Sequence, residues 1–188
     1  SFPPRRSSDL STPTLTGSSD QIGGTVTLTV TDANGATQNL SATVQTDGSW
    51  SVAVSTPLAE GSYSVVAQVS DAAGNTAQAT DNGSIDLTSP AAGISLNPIA
   101  GDDLLNAAEA AGSVTLSGTV SGDVKAGDSV TVTVGGSSYT TTVNADGSTW
   151  SVGVPGSVRA ANGQVEASVT TLDDAGNPNT ASTDRAYS

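Results

Sequence analysis

The pentapeptides Asp71-Ala72-Ala73-Gly74-Asn75 and Asp173-Asp174-Ala175-Gly176-Asn177 repeat one acid–glycine–amide spacing within 188 residues. A further oxygen-rich stretch runs Asp102-Asp103-Leu104-Leu105-Asn106-Ala107-Ala108-Glu109, and Asp86 opens the segment Asp86-Leu87-Thr88-Ser89-Pro90. Side chains of this kind do one of two things. They hold a hard cation through oxygen, or they cap turns. Two adjacent carboxylates repel unless something neutralises them. Asp102, Asp103, Asn106 and Glu109 put four oxygen-bearing side chains within eight residues, which suits the 6–8 oxygen shell of calcium. The other reading makes Asn106 a helix N-cap with Glu109 at N3, and leaves Asp102 and Asp103 to start the turn. In the repeated pentapeptide, Gly74 and Gly176 accept positive φ and Asn tolerates it, while Asp71 and Asp173 or Asp174 can accept nearby N–H groups. That motif is a hairpin turn first, with cation ligation as its second use in the later copy.

Composition narrows the chemistry. The chain has no Cys, His or Met. It therefore has no thiolate or imidazole ligand and no histidine general base, and any metal must be a hard cation. Asp plus Glu total 18 against five Lys plus Arg, a net charge of -13, so no basic footprint for nucleic acid exists. Charged residues make up only 12% and hydrophobic ones 35%, which argues for a folded chain with a light core. No stretch is apolar for long enough to span a membrane. No nucleophile elbow or phosphate loop is present, and no catalytic residues are expected.

The chain contains one module twice. Val26-Thr27-Leu28-Thr29-Val30 matches Val130-Thr131-Val132-Thr133-Val134, and "TDGSWSVAV" (46–54) matches "ADGSTWSVGV" (145–154). Val and Thr alternate at period two, the pattern of half-buried strands. Turn signals recur every eight to twelve residues or so, as in a β-sandwich. The expected fold is all-β: two tandem immunoglobulin-like sandwiches with one helical piece at 104–111. Trp50 and Trp150 share parity with core valines and are expected to be buried.

The copies differ at their starts. The second has the stretch 91–112 ahead of its "VTLSG", where the first has only "SFPPRRSSDLS" ahead of its "TPTLTG". The first copy is therefore expected to lack its first strand. Residues 1–11 are expected to be a non-native tail outside the fold, residues 12–88 the first domain and residues 89–188 the second.

The segments "IDLTSPAAGISL", "AGDDLLNAAEAAGSVTLSGTV", "ADGSTWSV" and "DDAGN" resemble the bacterial Ig-like extender repeats of giant repeats-in-toxin surface adhesins, over roughly residues 12–188. The resemblance implies a non-catalytic spacer on the bacterial cell surface, exported by type I secretion. It implies neighbouring Ig-like repeats of the same chain as partners, no membrane insertion, and a monomeric fragment truncated at both ends. It also implies structural Ca2+ at the junctions. Asp86 matches the family's junction aspartate, and Asp173, Asp174 and Asn177 would join it. Asp102, Asp103, Asn106 and Glu109 would hold a second ion at the far loop of the second copy. Two other functions compete. A carbohydrate- or ice-binding module would show an exposed aromatic or regular Thr face, and an accessory domain of a secreted hydrolase would adjoin a catalytic domain.

Overall fold

The computed structural model describes residues 7–99, 103, 106–160 and 163–187, with the backbone alone of 109, 159 and 160. The chain divides into two compact units, Ser1–Thr88 with Asp174–Gly176, and Ser89–Asp173 with Asn177–Ser188.

The first unit contains β1 (Ser7–Ser8), β2 (Thr14–Ser18), β3 (Thr25–Thr31), β4 (Thr37–Thr43), β5 (Ser49–Ala53), β6 (Gly61–Ser70) and β7 (Thr76–Ile85). They form a five-stranded sheet in the order β1-β7-β6-β3-β4 and a two-stranded sheet β2-β5. The strand pattern follows from side-chain alternation. In β3, Val26, Leu28 and Val30 are buried while Thr25, Thr27 and Thr29 face water. In β6, Tyr63, Val65 and Ala67 are buried on the same inner face. Leu15 of β2 and Trp50 of β5 close the core from the opposite sheet.

The second unit contains β8 (Ala92–Ile94), α1 (Ala107–Ala111), β9 (Ser113–Gly122), β10 (Ser129–Val134), β11 (Ser137–Thr142), β12 (Thr149–Pro155), α2 (Gly156–Ala160), β13 (Gln164–Leu172) and β14 (Pro178–Ala186). Its sheets are β11-β10-β13-β14 and β12-β9-β8. Apart from β1, the larger sheets of the two units have the same order, and β9 and β12 repeat β2 and β5. Val130, Val132, Val134, Val165, Ala167 and Val169 have no exposed surface, and Trp150 packs among them with Leu116 and Val154. Each unit is an immunoglobulin-like β-sandwich.

The units differ where their sequences differ. In the second, β8 pairs antiparallel with β9, Ile94 opposite Val120. In the first, β2 has β5 on one side and no described strand on the other. Residues 7–11, expected to stand outside the fold, take part in it. Ser7 and Ser8 pair in parallel with Ser84 and Ile85. The Ser8 carbonyl accepts the Asp86 N–H at 3.0 Å, and the Ser11 carbonyl accepts the Leu58 N–H at 2.8 Å. Backbone groups at a strand end need partners, and this segment supplies them whatever its side chains are. Helix α2 was not anticipated. It follows β12 directly, and the Gly156 N–H donates to the Gly112 carbonyl at 2.7 Å.

Candidate functional site

The two acid–glycine–amide pentapeptides are hairpin turns, between β6 and β7 and between β13 and β14. In the first, Asp71 Oδ1 accepts the N–H groups of Ala73 (2.9 Å) and Asn75 (2.8 Å), and Oδ2 accepts the Asn75 side-chain amide at 2.8 Å. Gly74 sits at φ +87°, the left-handed region that the turn requires. The Asn75 side chain, then the backbone N–H groups, hold the Asp71 carboxyl below its ordinary 3.8. In the second, Asp173 Oδ1 accepts the Asn177 N–H and Oδ2 its side-chain amide, both at 2.8 Å, and Gly176 is at φ +107°. Asp173 is thus the turn acid, and Asp174 is an exposed member of the same loop. Asp47 and Asp146 repeat the device in the loops that precede the tryptophans. Asp47 accepts the Ser49 hydroxyl and N–H, and Asp146 the Thr149 hydroxyl and the N–H groups of Ser148 and Thr149.

The far-loop set is put to the turn-and-cap use wherever its members are described. Asn106 Oδ1 accepts the Ala108 N–H at 3.0 Å at the start of α1. This is the N-cap role. Asp103, at φ +62°, is the one non-glycine residue at positive φ among those described. Its Oδ1 accepts the Ile99 N–H at 2.8 Å, and its Oδ2 receives Arg185 Nη1 at 2.6 Å. The Arg185 guanidinium on one oxygen already offsets the charge of the Asp103 carboxylate. Asp102 and the side chain of Glu109 lie outside the described residues.

The junction set is divided between the two units. Asp86 follows β7, and its Oδ1 accepts the Thr88 N–H at 3.1 Å. The Thr88 hydroxyl donates to Glu60 at 2.6 Å. Asp173 and Asn177 are brought together by their turn, both carboxylate oxygens of Asp173 accepting from Asn177. Among the described residues no three acidic side chains gather into a metal cluster.

Two basic residues escaped the sequence reading. Lys125 Nζ donates to the Leu172 carbonyl at 2.8 Å, next to the Asp173 turn. Arg185 reaches Asp103 and the Leu96 carbonyl. The signal was present in the composition: only Lys125, Arg159 and Arg185 are basic beyond the first ten residues. Cations so scarce in an acidic chain point to specific partners.

Residues 8–87 match the family profile of the bacterial Ig-like domain. No curated protein sequence matches the chain. Among solved structures, the chain is 36% identical over 95% of its length to an adhesin described as Ca2+-stabilized that helps an Antarctic bacterium reach out and bind ice, with a TM-score of 0.69. It is 35% identical over 96% of its length to part of a 1.5-MDa bacterial ice-binding adhesin studied for host cell surface retention, with a TM-score of 0.64. It spans 44% and 58% of those two structures. A single bacterial immunoglobulin-like domain from the M. primoryensis ice-binding adhesin is 44% identical over 53% of this chain, which covers 96% of that domain, with a TM-score of 0.48. With the shared motifs carried in both of its sandwiches, the chain belongs to the bacterial Ig-like domain family.

Proposed function

We propose that this chain is an extender segment of a bacterial cell-surface adhesin: a spacer of tandem Ig-like modules that performs no catalysis and is stiffened by Ca2+ between modules. The observation that carries the reading is one sandwich built twice in tandem, in a chain similar over 95% of its length to a Ca2+-stabilized adhesin. Its partners are the neighbouring Ig-like repeats of the same protein, and its place is outside the cell, reached by type I secretion. The junction ligands are Asp86, Asp173, Asp174 and Asn177, to which carboxylates and an amide bring the oxygen donors that calcium prefers. Bound cations also relieve repulsion in a chain of net charge -13. Extracellular calcium modules bind with Kd of about 10⁻⁴–10⁻³ M, so occupancy follows exposure to millimolar calcium. Calorimetric titration with calcium, with small-angle scattering in calcium and in chelator, tests this. Expected are millimolar or tighter binding and a longer, narrower distance distribution with calcium. No heat and an unchanged profile would remove calcium and leave a plain spacer.

A second reading rests on the outer face of the larger sheet in the first unit. The paired rows Ser41–Thr27–Gln68–Gln78 and Thr37–Thr31–Ser64–Asn82 carry hydroxyls and amides with no charge. Such a face suits an uncharged ligand, as a carbohydrate- or ice-binding module would need. Glycan-array binding or ice-affinity partition of the chain, with loss on Thr27→Lys, would favour that reading over the spacer.

A further inference from the structure

Arg185 lies near the end of β14 and reaches to the segment that follows β8. Its Nε donates to the Leu96 carbonyl at 3.3 Å and its Nη1 to Asp103 Oδ2 at 2.6 Å. The two side chains are both partly buried, 34% exposed for Arg185 and 29% for Asp103. The other carboxylate oxygen of Asp103 takes the Ile99 N–H, and the Asp103 N–H returns to the Ile99 carbonyl at 2.8 Å. One planar cation thus gathers a backbone carbonyl and a carboxylate, and the carboxylate in turn holds Ile99 to Asp103, which sits at φ +62°. A non-glycine residue at that angle is costly unless its surroundings fix it.

The first unit solves the same problem differently. The offset of 102 residues that relates Asn75 to Asn177 puts Gly83 at the place of Arg185. There the ring of Tyr63 covers the glycine so closely that a Cβ would stand 2.5 Å from it. The leading segment of that unit is tied instead by the parallel backbone pairing of β1 with β7. Arg185 is therefore specific to the second unit, where it serves an acidic loop.

We propose that Arg185 is the built-in cation of this loop: its guanidinium clasps Leu96 and Asp103 to the last strand, so the leading segment of the second unit is held without a metal ion. The forked geometry matters as well as the charge, because two acceptors in different directions are met by one rigid group. The proposal stands apart from calcium at the junction, which involves other residues.

Hydrogen exchange at the Ile99 and Asp103 amides, followed by NMR in the whole chain, tests it. Arg185→Gln should speed exchange at both amides about tenfold, a size discounted for partial exposure. Asp103→Asn should do nearly the same, since Oδ1 can remain an acceptor for Ile99 while the charge is lost. The double variant should add little to either. Arg185→Lys should fall between, because an ammonium keeps the charge and loses the fork. Chelator should leave both amides unchanged in the parent chain, whatever it does to scattering by the junction. Three results would overturn the clasp: exchange unchanged in Arg185→Gln, full additivity in the double variant, or opening of the same amides by chelator alone. If junction calcium fails its own titration, these exchange rates still decide the clasp.

Discussion

The indole N–H of Trp150 donates to the carbonyl of Ser95 at 3.2 Å, across a strand position occupied by Gly118. Gly118 is paired directly with Trp150, and a Cβ on it would stand 1.8 Å from the Ser95 carbonyl and 2.8 Å from the indole nitrogen. The glycine is what lets the leading segment of the second unit lie against the tryptophan. The first unit places Gly17 opposite Trp50 in the same way.

Gly118→Ala should therefore destabilise the second unit by on the order of 3 kcal/mol, since the obstruction is backbone and cannot swing aside. Trp150→Ala should cost about 3–5 kcal/mol through the cavity it leaves. Trp150→Phe should cost less, and about 1 kcal/mol of its loss belongs to the hydrogen bond. Chemical unfolding followed by circular dichroism for the whole chain, with Trp50 fluorescence reporting the first unit alone, assigns each loss to its unit. A Gly118→Ala protein as stable as the parent would show that the segment around Ser95 is not held against the core.

Gly74 isolates the conformational part of the pentapeptide. Its φ is +87° and an added Cβ meets nothing within 4 Å, so only backbone strain opposes a side chain. Gly74→Ala should cost about 1–2 kcal/mol. A D-alanine placed there by chemical synthesis or ligation should cost almost nothing, being at ease at positive φ. Equal losses from both would mean that a contact, and not the angle, selects glycine.

Much of this was legible in the residues. Val26-Thr27-Leu28-Thr29-Val30 and its copy announce strands because an alternating pattern has one way to bury one face. The turn role of Asp71 and Asp173 was readable for a similar reason: acid, glycine and amide at that spacing satisfy one another locally. The unread parts depend on distance in sequence. Nothing near Asp103 shows that Arg185, 82 residues away, returns to it. Ser7 and Ser8 join the sheet through backbone groups, which every residue possesses, so composition could not reveal them. Helix α2 spans five residues and lacks the periodicity that identifies longer helices.

Asn75 and Asn177 make the same bonds in different surroundings. Asn75 is exposed, and Asn177 is one of two buried polar residues, 7% exposed, among those described. Removing a partner from a buried group leaves it without water to replace the lost bond. Asn177→Ala should cost about 1–3 kcal/mol, and Asn75→Ala about half to one. Thermal unfolding of the two variants side by side checks the ordering. The reverse order would mean that the second turn takes its support from elsewhere.

The turn carboxylates also set a pH dependence. Ser49 holds Asp47, Asn75 holds Asp71 and Thr149 holds Asp146 below the ordinary 3.8, in each case first through a side-chain hydrogen bond. A depressed folded-state value means that the folded chain resists protonation at these positions more than the unfolded chain does. Their contribution to stability is complete above the unfolded value near 4, and it drains away as pH falls through the lower folded values. No histidine is present to add a transition near neutrality. The melting temperature should therefore be nearly flat from about pH 6 to 8 and should fall in acid. Replacing Asp47, Asp71 and Asp146 together by Asn should lower the plateau and flatten the acid limb. Asparagine can still accept the N–H bonds but carries no proton to gain. Melting curves between pH 2 and pH 8 on the parent and the triple variant test this, and parallel acid limbs would assign the loss to other carboxylates.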